Sequence, residues 1–535
     1  MFPALQSNAR RQIEWNIDQA PDPHYLQAPS VVRFRSLLVV LLGGNAIVTV
    51  ANLVRDVALA SAFGAGLEAD VLFLAMSIPL FLLSVAANAF RSITVPALSK
   101  AKVDGLESAR AMARRFLAIA NSGVLAAALV LGLFASMLYY VDLLPANQAT
   151  RQQFALFLTA IIPMYLFASL IEIWQGPVQA WNRFMAPSLL RLGLPCGIAL
   201  GCLLVDSPGL LDVALGGAIG TIIATIVGLR LLNQLQIAPS LRTTPLPHDV
   251  GLTAKSNFIA LVAATCITYA NPLVDQWIAG LTGPGGVSTL GYASRLTTGI
   301  LSLIAAALSQ GLLVHYSRHI GNKDQEGIKA TYRLLLRLAP WLGCFATLGI
   351  WLTSDLGISL LYERGNFDAA TTTRVATLVD IYALQFPFYW TSVAAFTLIW
   401  ATSMNRVFLR IGVLLFSVNV LCDVLFAKAF GINGIALTSS VVYAISGVLL
   451  HRALRNAGFV SITSWDISAI LAPFVLLGFS WILIMALDLG IAINQSLSIT
   501  ILSIALLLLF GGIAATTAYR TMRSSGHLSP ASIPS

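Results

Sequence analysis

The stretch NLVRDVALASAFGAGLEADVLF, residues 52–73, contains the pattern that decides the fold of this chain. An apolar segment reaches a turn at Gly64 and Gly66, and a second apolar segment begins immediately beyond it. About 20 apolar residues in a helix cross the roughly 30 Å hydrocarbon layer of a bilayer. The stretch therefore predicts two membrane-spanning helices joined by a short turn. It also carries four ionisable residues: Arg55, Asp56, Glu68 and Asp70.

Apolar composition of this kind continues along the whole chain. Of its 535 residues, 57% are hydrophobic and 10% are charged, and the mean hydropathy is +0.81. Soluble domains contain about 25% charged residues. We therefore predict an all-α polytopic membrane protein with about fourteen transmembrane helices and no loop long enough for a separate catalytic domain. The predicted spans are 36–63, 69–97, 116–140, 154–179, 187–206, 209–233, 256–281, 288–316, 331–353, 374–401, 407–427, 431–452, 468–488 and 494–519.

The net charge of +9 would suit either nucleic acid or an anionic membrane face, and the placement of the basic residues decides between them. If the N-terminus is cytoplasmic, 25 of the 32 Lys and Arg residues fall in cytoplasmic segments. This distribution satisfies the positive-inside rule, so nucleic-acid binding is not needed to explain the charge. Residues 1–35 and 520–535 are predicted to be a cytoplasmic extension and a cytoplasmic tail.

Two landmarks recur at a similar spacing. A glycine-rich turn follows span 1 and returns after span 7 at Gly283, and an Asn-Arg pair follows both span 4 and span 10. The chain is therefore predicted to consist of two six-helix lobes, 36–233 and 256–452, followed by two further helices within 468–519. Lobes of this kind share one orientation and enclose a central cavity.

Arginines inside the predicted spans indicate an anion site. Arg55 lies nine residues before Gly64, about 13 Å along a helix, and Arg295 lies at a comparable depth in span 8. An ionisable group at this depth needs a partner or a water-filled cavity. Guanidinium groups bind phosphate oxygens well, so two arginines from opposite lobes could hold one phosphate-bearing headgroup. The alternative is an internal ion pair of Arg55 with Asp56 or Asp70.

A second group of polar residues indicates a cation site. Asn419 and Asp423 are four residues apart on span 11 and share a helix face, and Asp275 lies mid-span 7. Span 12 begins GINGIALTSS, which offers the carbonyl of Ile435 and the hydroxyl of Ser439. Carboxylate, amide, hydroxyl and carbonyl oxygens are ligands for a hard cation such as Na⁺. The alternative is a pair of protonated or hydrogen-bonded aspartates in a polar core.

Two further ionisable residues lie near the predicted cytoplasmic ends of their spans. Arg91 is expected to extend its side chain towards the interface. Glu172 is expected to be either a proton carrier or a hydrogen-bonded interfacial acid. The five cysteines and six histidines show no metal-ligand or redox spacing.

Five stretches carry a family resemblance. They are RDVALASAFGAGLEADVLFLAMSIP (55–79), QAWNRFMAPSLL (179–190), LGYASRL (290–296), LYERGNFDAATTTR (361–374) and NVLCDVLFAKAFGINGIALTSS (419–440). Together they resemble the MviN/MurJ family, the lipid II flippases of the multidrug/oligosaccharidyl-lipid/polysaccharide exporter superfamily. The resemblance covers roughly 36–455 and continues through the last two predicted helices.

The resemblance implies a transporter, not an enzyme, in the bacterial inner membrane. It would flip an undecaprenyl-pyrophosphate-linked saccharide, first of all lipid II, to the outer leaflet by alternating access, in contact with membrane lipids and with cell-wall synthesis machinery. The family's substrate-binding residues correspond to Arg55, Asp70 and Arg295. Its sodium ligands correspond to Asp275, Asn419, Asp423, Ile435 and Ser439. A flippase for another lipid-linked oligosaccharide of exopolysaccharide synthesis and a cation-coupled multidrug exporter are the alternatives.

The chain departs from the family pattern at two places. Family members usually carry an arginine where this chain has Thr49, and a Pro-Asn-Leu-Leu-Arg-Arg run where it reads PLFLLSV (79–85). Two cationic anchors of the headgroup site are therefore missing, which leaves the identity of the lipid-linked sugar open.

Overall fold

The computed structural model describes residues 31–140, 148–181, 183, 185–240, 262, 265–267, 269–322, 324–402, 404–460, 470–482, 512 and 516. Thirteen helices with defined ends lie in these ranges, and two further helical segments cover 269–279 and 470–482. They are α1 Val31–Phe63, α2 Leu67–Asp104, α3 Leu106–Tyr140, α4 Gln148–Ala180, α5 Met185–Leu190, α6 Gly193–Leu203, α7 Leu210–Gln234, α8 Gly286–Gly321, α9 Gln325–Tyr362, α10 Ala369–Ala383, α11 Phe386–Ala401, α12 Asn405–Phe430 and α13 Ile432–Asn456.

The prediction of an all-α polytopic membrane protein is confirmed. Among the described residues, nine helices are long and apolar enough to cross a bilayer. The count of fourteen stays a prediction. Most of the last two predicted spans, within 468–519, and most of the N-terminal and C-terminal extensions, 1–35 and 520–535, lie outside the described residues.

Two predicted spans are each divided into two helices. The span 187–206 is interrupted between α5 and α6, where the backbone N–H of Leu192 donates to the carbonyl of Leu189. The span 374–401 is interrupted between α10 and α11, and Pro387 occupies the first turn of α11. Proline has no N–H and is tolerated in the first turn of a helix. A hydropathy pattern alone does not show such breaks, because the apolar run continues across them.

Contacts divide the chain into two compact units. The N unit comprises Pro29–Tyr292 and Ile358–Arg374, and the C unit comprises Ala293–Gly357 and Val375–Ser535 with Met1–Ala28. These units describe packing, whereas the two six-helix lobes describe a sequence repeat, so the lobes 36–233 and 256–452 stay a prediction.

In the N unit, glycines allow α6 and α7 to pack backbone to backbone. A Cβ added at Gly197 would lie 2.4 Å from the carbonyl oxygen of Gly216, and one added at Gly220 would lie 2.1 Å from that of Gly193. Small residues spaced four apart produce such close approaches between membrane helices. A separate core of this unit surrounds the buried Trp174.

In the C unit, glycines allow close packing between helices at two positions. A Cβ at Gly343 of α9 would lie 2.2 Å from the Cα of Pro387 at the start of α11. A Cβ at Gly434 of α13 would lie 2.1 Å from the carbonyl oxygen of Phe426 in α12. Gly431, with a φ of +61°, forms the turn between α12 and α13. The second half of α12 is therefore held against the first turn of α13.

Candidate functional site

The glycine turn after α1, residues 64–66, lies in a junction within the N unit. We call it the glycine junction: the turn 64–66, the turn 283–285 and the segment 363–368. Gly64 has a φ of +57°, and a Cβ there would lie 2.2 Å from the carbonyl oxygen of Asn366. A Cβ at Gly285 would lie 2.6 Å from the carbonyl oxygen of Ala65. Only glycine fits both the backbone conformation and the space.

Asn366 closes the C-terminus of α1. Its backbone N–H donates to the carbonyl of Ser61 at 2.9 Å, and its side-chain Nδ2 donates to the carbonyl of Ala62 at 2.6 Å. The last four carbonyls of a helix have no partner within the helix, so an external donor satisfies them. The run ERGNFD, which the sequence analysis used only as a family mark, thus has a structural role. No local pattern in the sequence singled out Asn366 itself.

Asp70 performs the matching role at the N-terminus of α8. It is 8% exposed, and its carboxylate accepts the backbone N–H of Gly285 at 2.6 Å, the N–H of Ser288 at 2.7 Å and the Oγ of Ser288 at 2.7 Å. A carboxylate is favoured here by the unpaired N–H groups and by the helix dipole. Asp70 therefore orders the start of α8, and its predicted contact with substrate stays a prediction.

An aromatic cluster fills the space behind the junction. Tyr292 is fully buried, and its hydroxyl donates to the carbonyl of Gly64 at 3.0 Å. Its ring centroid lies 4.8 Å from that of Phe73, 5.5 Å from that of Phe367 and 5.6 Å from that of Tyr362. Residues from three distant parts of the sequence thus join α1, α2 and the start of α8. No local pattern in the sequence identified Tyr292 as the centre of this cluster.

Asp368 ends the segment and caps α10. Its Oδ1 accepts the backbone N–H of Thr371 at 2.8 Å. Hydrogen bonds from the side chain and the backbone of Thr371 hold the pKa of Asp368 below its ordinary value. Aspartate is a preferred residue immediately before the first residue of a helix, because its carboxylate accepts a backbone N–H of the first turn.

Arg55 lies on α1 with its side chain 13% exposed. Its Nε and Nη2 donate to Oδ1 of Asp56 at 3.0 and 2.8 Å, and its Nη1 donates to Oδ1 of Asn52 at 2.9 Å. Of the two acids that the sequence offered as partners, Asp56 is the one observed. Within the described part of the chain, three of the five guanidinium N–H donors are used, which leaves two for a ligand.

Arg295 is the third residue of the C-unit part of α8, which begins at Ala293, and it is partly exposed. Arg55 and Arg295 thus belong to different compact units. Their joint action on one anion stays a prediction.

The predicted cation ligands of α12 are observed together. Asn419 is 3% exposed and Asp423 is fully buried, and Nδ2 of Asn419 donates to Oδ2 of Asp423 at 2.7 Å. The spacing of four residues correctly predicted that they share one face. The amide nitrogen of Asn419 is the donor of this hydrogen bond, and the amide oxygen is the atom of this side chain that can ligate a cation.

The other predicted cation ligands lie on α13 and on the helix 269–279. Ile435 is fully buried in the first turn of α13, and Ser439 is partly buried one turn later. Next to it, the buried Oγ of Ser440 has no hydrogen-bond partner among the described residues. Asp275 is partly buried and lies in the N unit. The oxygen-rich donor set on α12 and α13 fits a hard cation.

In the ranges that the structure describes, no group of three or more His, Cys, Asp or Glu residues could hold a metal ion. The predicted sodium site contains only two carboxylates, Asp275 and Asp423, and is otherwise built from amide, hydroxyl and carbonyl oxygens. This observation therefore does not test it.

Comparisons with known proteins agree along most of the chain. The family model described as lipid II flippase MurJ matches residues 59–511. The probable lipid II flippase MurJ of Vibrio cholerae is 25% identical over 438 residues, which cover 77% of this chain and 81% of that protein. The lipid II flippase MurJ of Burkholderia cenocepacia is 25% identical over 453 residues, which cover 79% and 84%.

Solved structures share the fold. A structure of lipid II flippase MurJ in an inward closed conformation aligns with a TM-score of 0.70 at 19% identity and covers 88% of this chain and 97% of its own. An inward-facing MATE family multidrug resistance transporter of the MOP superfamily aligns with a TM-score of 0.65 at 11% identity, covering 79% and 98%. With a family model matched from residue 59 to residue 511, the chain belongs to the lipid II flippase MurJ family of membrane transporters.

Proposed function

We propose that this protein moves an undecaprenyl-pyrophosphate-linked saccharide, first of all lipid II, from the cytoplasmic to the outer leaflet by alternating access. The observation that carries this proposal is the family match over residues 59–511. The two relatives described above are lipid II flippases by name, and the match to this chain covers about four fifths of each of them. The protein would lie in the bacterial inner membrane with both termini in the cytoplasm, where it could meet the cell-wall synthesis machinery.

The physical task is to carry a doubly charged headgroup across hydrocarbon. A bare ionised group would cost tens of kcal/mol there on Born estimates. A transporter avoids this cost when it offers fixed hydrogen-bond donors in a wet cavity while the lipid tail stays in the bilayer. Arg55 suits this role because two of its N–H donors are not used by Asp56 and Asn52. Asp56 holds the guanidinium in place and lowers its cost in the membrane.

Arg295 would supply the second cation to the pyrophosphate. Guanidinium groups bind phosphate oxygens through paired N–H donors, and two such groups match the two phosphates of the substrate. Asp70 would act through the glycine junction, because it orders the start of α8, the helix that carries Arg295.

The test separates substrate binding from internal pairing. Variants Arg295→Ala, Arg55→Gln and the double variant Arg55→Gln/Asp56→Asn are expressed in cells depleted of their own flippase. The double variant removes both members of the ion pair and leaves no unpaired charge. If Arg55 binds the headgroup, the double variant is present in the membrane at the parent level but does not restore growth. Full growth with the double variant, or with a well-expressed Arg295→Ala, would refute the arginine roles.

We further propose that Na⁺ binds at Asn419, Asp423, Ile435, Ser439 and Asp275 and resets the transporter. The 2.7 Å hydrogen bond between Asn419 and Asp423 supports this assignment because it orients the amide oxygen of Asn419. The thermal midpoint of the purified protein should be higher in NaCl than in choline chloride at equal ionic strength. The difference should disappear in Asp423→Asn, and equal midpoints of the parent in both salts would contradict a sodium site.

A cation-coupled drug exporter is the second candidate because MATE transporters share the fold. Such exporters carry cationic compounds, for which a cavity lined by acids is suitable. The predicted site of this chain contains Arg55 and Arg295, which would repel a cationic substrate. Mass spectrometry of the lipid that copurifies with the protein distinguishes the substrates, and a copurified lipid with a saccharide other than that of lipid II would identify the alternative flippase.

A further inference from the structure

Three charged side chains from separate segments of the N unit meet near Arg91, where the membrane-spanning part of α2, Leu67–Arg91, ends on the side distant from the glycine junction. Glu172 of α4 lies between Arg91 of α2 and Arg191, which follows α5. Its Oε1 lies 2.7 Å from Nε of Arg191, and its Oε2 lies 3.7 Å from Nη2 of Arg91. Glu172 is therefore a partnered acid, which is the second of its two predicted roles. We call Arg91 and Arg191 the arginine pair.

The backbone fixes this arrangement. A Cβ at Gly176 of α4 would lie 2.6 Å from Oγ1 of Thr94 and 3.4 Å from the Cα of Arg91. The glycine thus brings α4 against α2 at the level of Arg91. Glu172, one turn before Gly176, is placed beside Arg91 by this contact.

The charges of the cluster do not balance. One carboxylate faces two guanidinium groups, and Glu172 also accepts a hydrogen bond from Gln175. In the part of the chain that the structure describes, the guanidinium of Arg91 forms no hydrogen bond, because its contact with Glu172 at 3.7 Å is too long for one. Both arginine side chains are 34% exposed and can be reached by a ligand.

Lys102, another cation of α2, differs from the arginine pair because its partners lie within the protein. Lys102 donates to the carbonyl of Ala180, and its Nζ lies 4.3 Å above the ring of Trp181. The ammonium group is therefore stabilised by a carbonyl and an aromatic ring of the same protein. The arginine pair instead carries an excess positive charge beside two neutral polar groups, Asn88 and Tyr269, which are hydrogen-bonded to each other at 2.9 Å.

The position of the cluster matches one face of the membrane. Arg91 lies 21 residues after Asp70 on the same helix, which corresponds to about 31 Å at 1.5 Å per residue. This length equals the hydrocarbon thickness of a bilayer. The arginine pair and the glycine junction are therefore at opposite membrane faces, and the orientation proposed above places the arginine pair at the cytoplasmic face.

We infer that the arginine pair is a docking site for the pyrophosphate of a polyprenyl lipid at the cytoplasmic face. The inference rests on the proposed function for the lipid class, and it adds a site separate from Arg55 and Arg295. A pyrophosphate offers oxygens to both guanidinium groups at once and displaces Glu172 from Arg91. The carboxylate competes with the ligand, so it sets the affinity at a level that allows release.

The test uses the full chain in phosphatidylcholine nanodiscs and isothermal titration calorimetry with farnesyl pyrophosphate. Arg91→Gln and Arg191→Gln should each weaken binding about tenfold, because a hydrogen bond to a charged group contributes about that factor. Arg110→Gln is the matched control, since Arg110 already pairs with its own acid, Glu107, on α3. Its affinity should equal that of the parent.

Glu172→Gln provides the sharpest result. It keeps the shape of the side chain but removes the competing charge, so binding should become several-fold tighter. A purely structural ion pair predicts the opposite, a less stable protein that binds no better. Thermal midpoints of all variants report folding separately, and equal affinity of the parent and both folded arginine variants would overturn the site.

Two further titrations identify the source of the phosphate. Inorganic pyrophosphate should bind more weakly than farnesyl pyrophosphate, and equal affinity would overturn the lipid assignment. Partial replacement of phosphatidylcholine by phosphatidylglycerol should leave farnesyl pyrophosphate binding in place, and its loss would instead indicate a phospholipid site. Calorimetry contains no transport step. If the protein does not rescue flippase-depleted cells but the affinities change as expected, the proposed function is refuted and the arginine-pair site is not. If the protein rescues the cells but the affinities of the variants equal that of the parent, the arginine-pair site is refuted and the proposed function is not.

Discussion

Replacing Asp70 by alanine should destabilise the start of α8 and leave the other membrane helices unchanged. The carboxylate satisfies two backbone N–H groups, those of Gly285 and Ser288, and the hydroxyl of Ser288. All three bonds are lost in Asp70→Ala. The N-terminal amides of a helix have no partner within the helix, so nothing else in the first turn of α8 replaces the carboxylate.

The expected magnitude comes from the two amides. A buried donor left without a partner costs about 1–3 kcal/mol, and water recovers part of this cost at a helix end. We expect about 3 kcal/mol for the two amides together, which corresponds to a roughly 100-fold change in the local opening equilibrium. Ser288→Ala removes only the hydroxyl bond and should change the same equilibrium by about tenfold or less.

Hydrogen exchange read by mass spectrometry measures this opening directly. Peptides covering 283–292 should exchange roughly 100-fold faster in Asp70→Ala, while peptides from α3 and α7 should be unaffected. Glu68→Ala is the matched control, because Glu68 is an exposed acid in the same helical turn as Asp70. If exchange over 283–292 in Asp70→Ala stays within threefold of the parent, the carboxylate does not order α8 and the reasoning is wrong.

Three other expectations follow from contacts in the structure. Gly343→Ala should lower the thermal midpoint because its Cβ would lie 2.2 Å from the backbone at the start of α11, whereas Gly349→Ala on the same helix meets nothing within 4 Å and should be neutral or slightly stabilising. Asn366→Ala should speed hydrogen exchange at the end of α1 about tenfold, since it removes the side-chain hydrogen bond to the carbonyl of Ala62; unchanged exchange would refute its capping role. Hydrogen bonds to Thr371 lower the pKa of Asp368 in the folded protein. Its stabilisation of α10 is therefore fully present above the ordinary pKa of 3.8 and is lost as the pH falls through the lower folded value. Hydrogen exchange at the start of α10 should show this acid dependence in the parent and should lose it in Asp368→Asn.

The departures from the family pattern bear on the substrate. The chain has Thr49 and the run 79–85 where the family usually has arginines, and Thr49 donates its hydroxyl hydrogen to the carbonyl of Asn45 within α1. Thr49 therefore contributes no charge to a headgroup site. The cations available to a pyrophosphate in this chain are those of Arg55 and Arg295 in the proposed central site and, by our inference, those of the arginine pair.

The class of fold follows from the amino-acid sequence alone. In hydrocarbon, every backbone N–H and carbonyl must be satisfied within the protein, so an apolar run of about 20 residues has no stable choice but a helix. Local spacing also predicted the Asn419–Asp423 contact correctly, because residues four apart on a helix lie on the same face. The glycine turn after α1 was equally readable, since it depends on residues that are adjacent in the chain.

The partners of the charged groups, in contrast, depend on how the helices pack in three dimensions. Arg55 had Asp56 and Asp70 as candidate acids, and Asp70 was unavailable because the N-terminus of α8, more than 200 residues away in sequence, supplies it with three donors. Glu172 likewise met Arg91 because Gly176 lets α4 approach α2, and it met Arg191 through the packing of a third segment. The strength of an ion pair depends on distance and desolvation, and both are set by which helices pack together, which no local pattern in the chain contains.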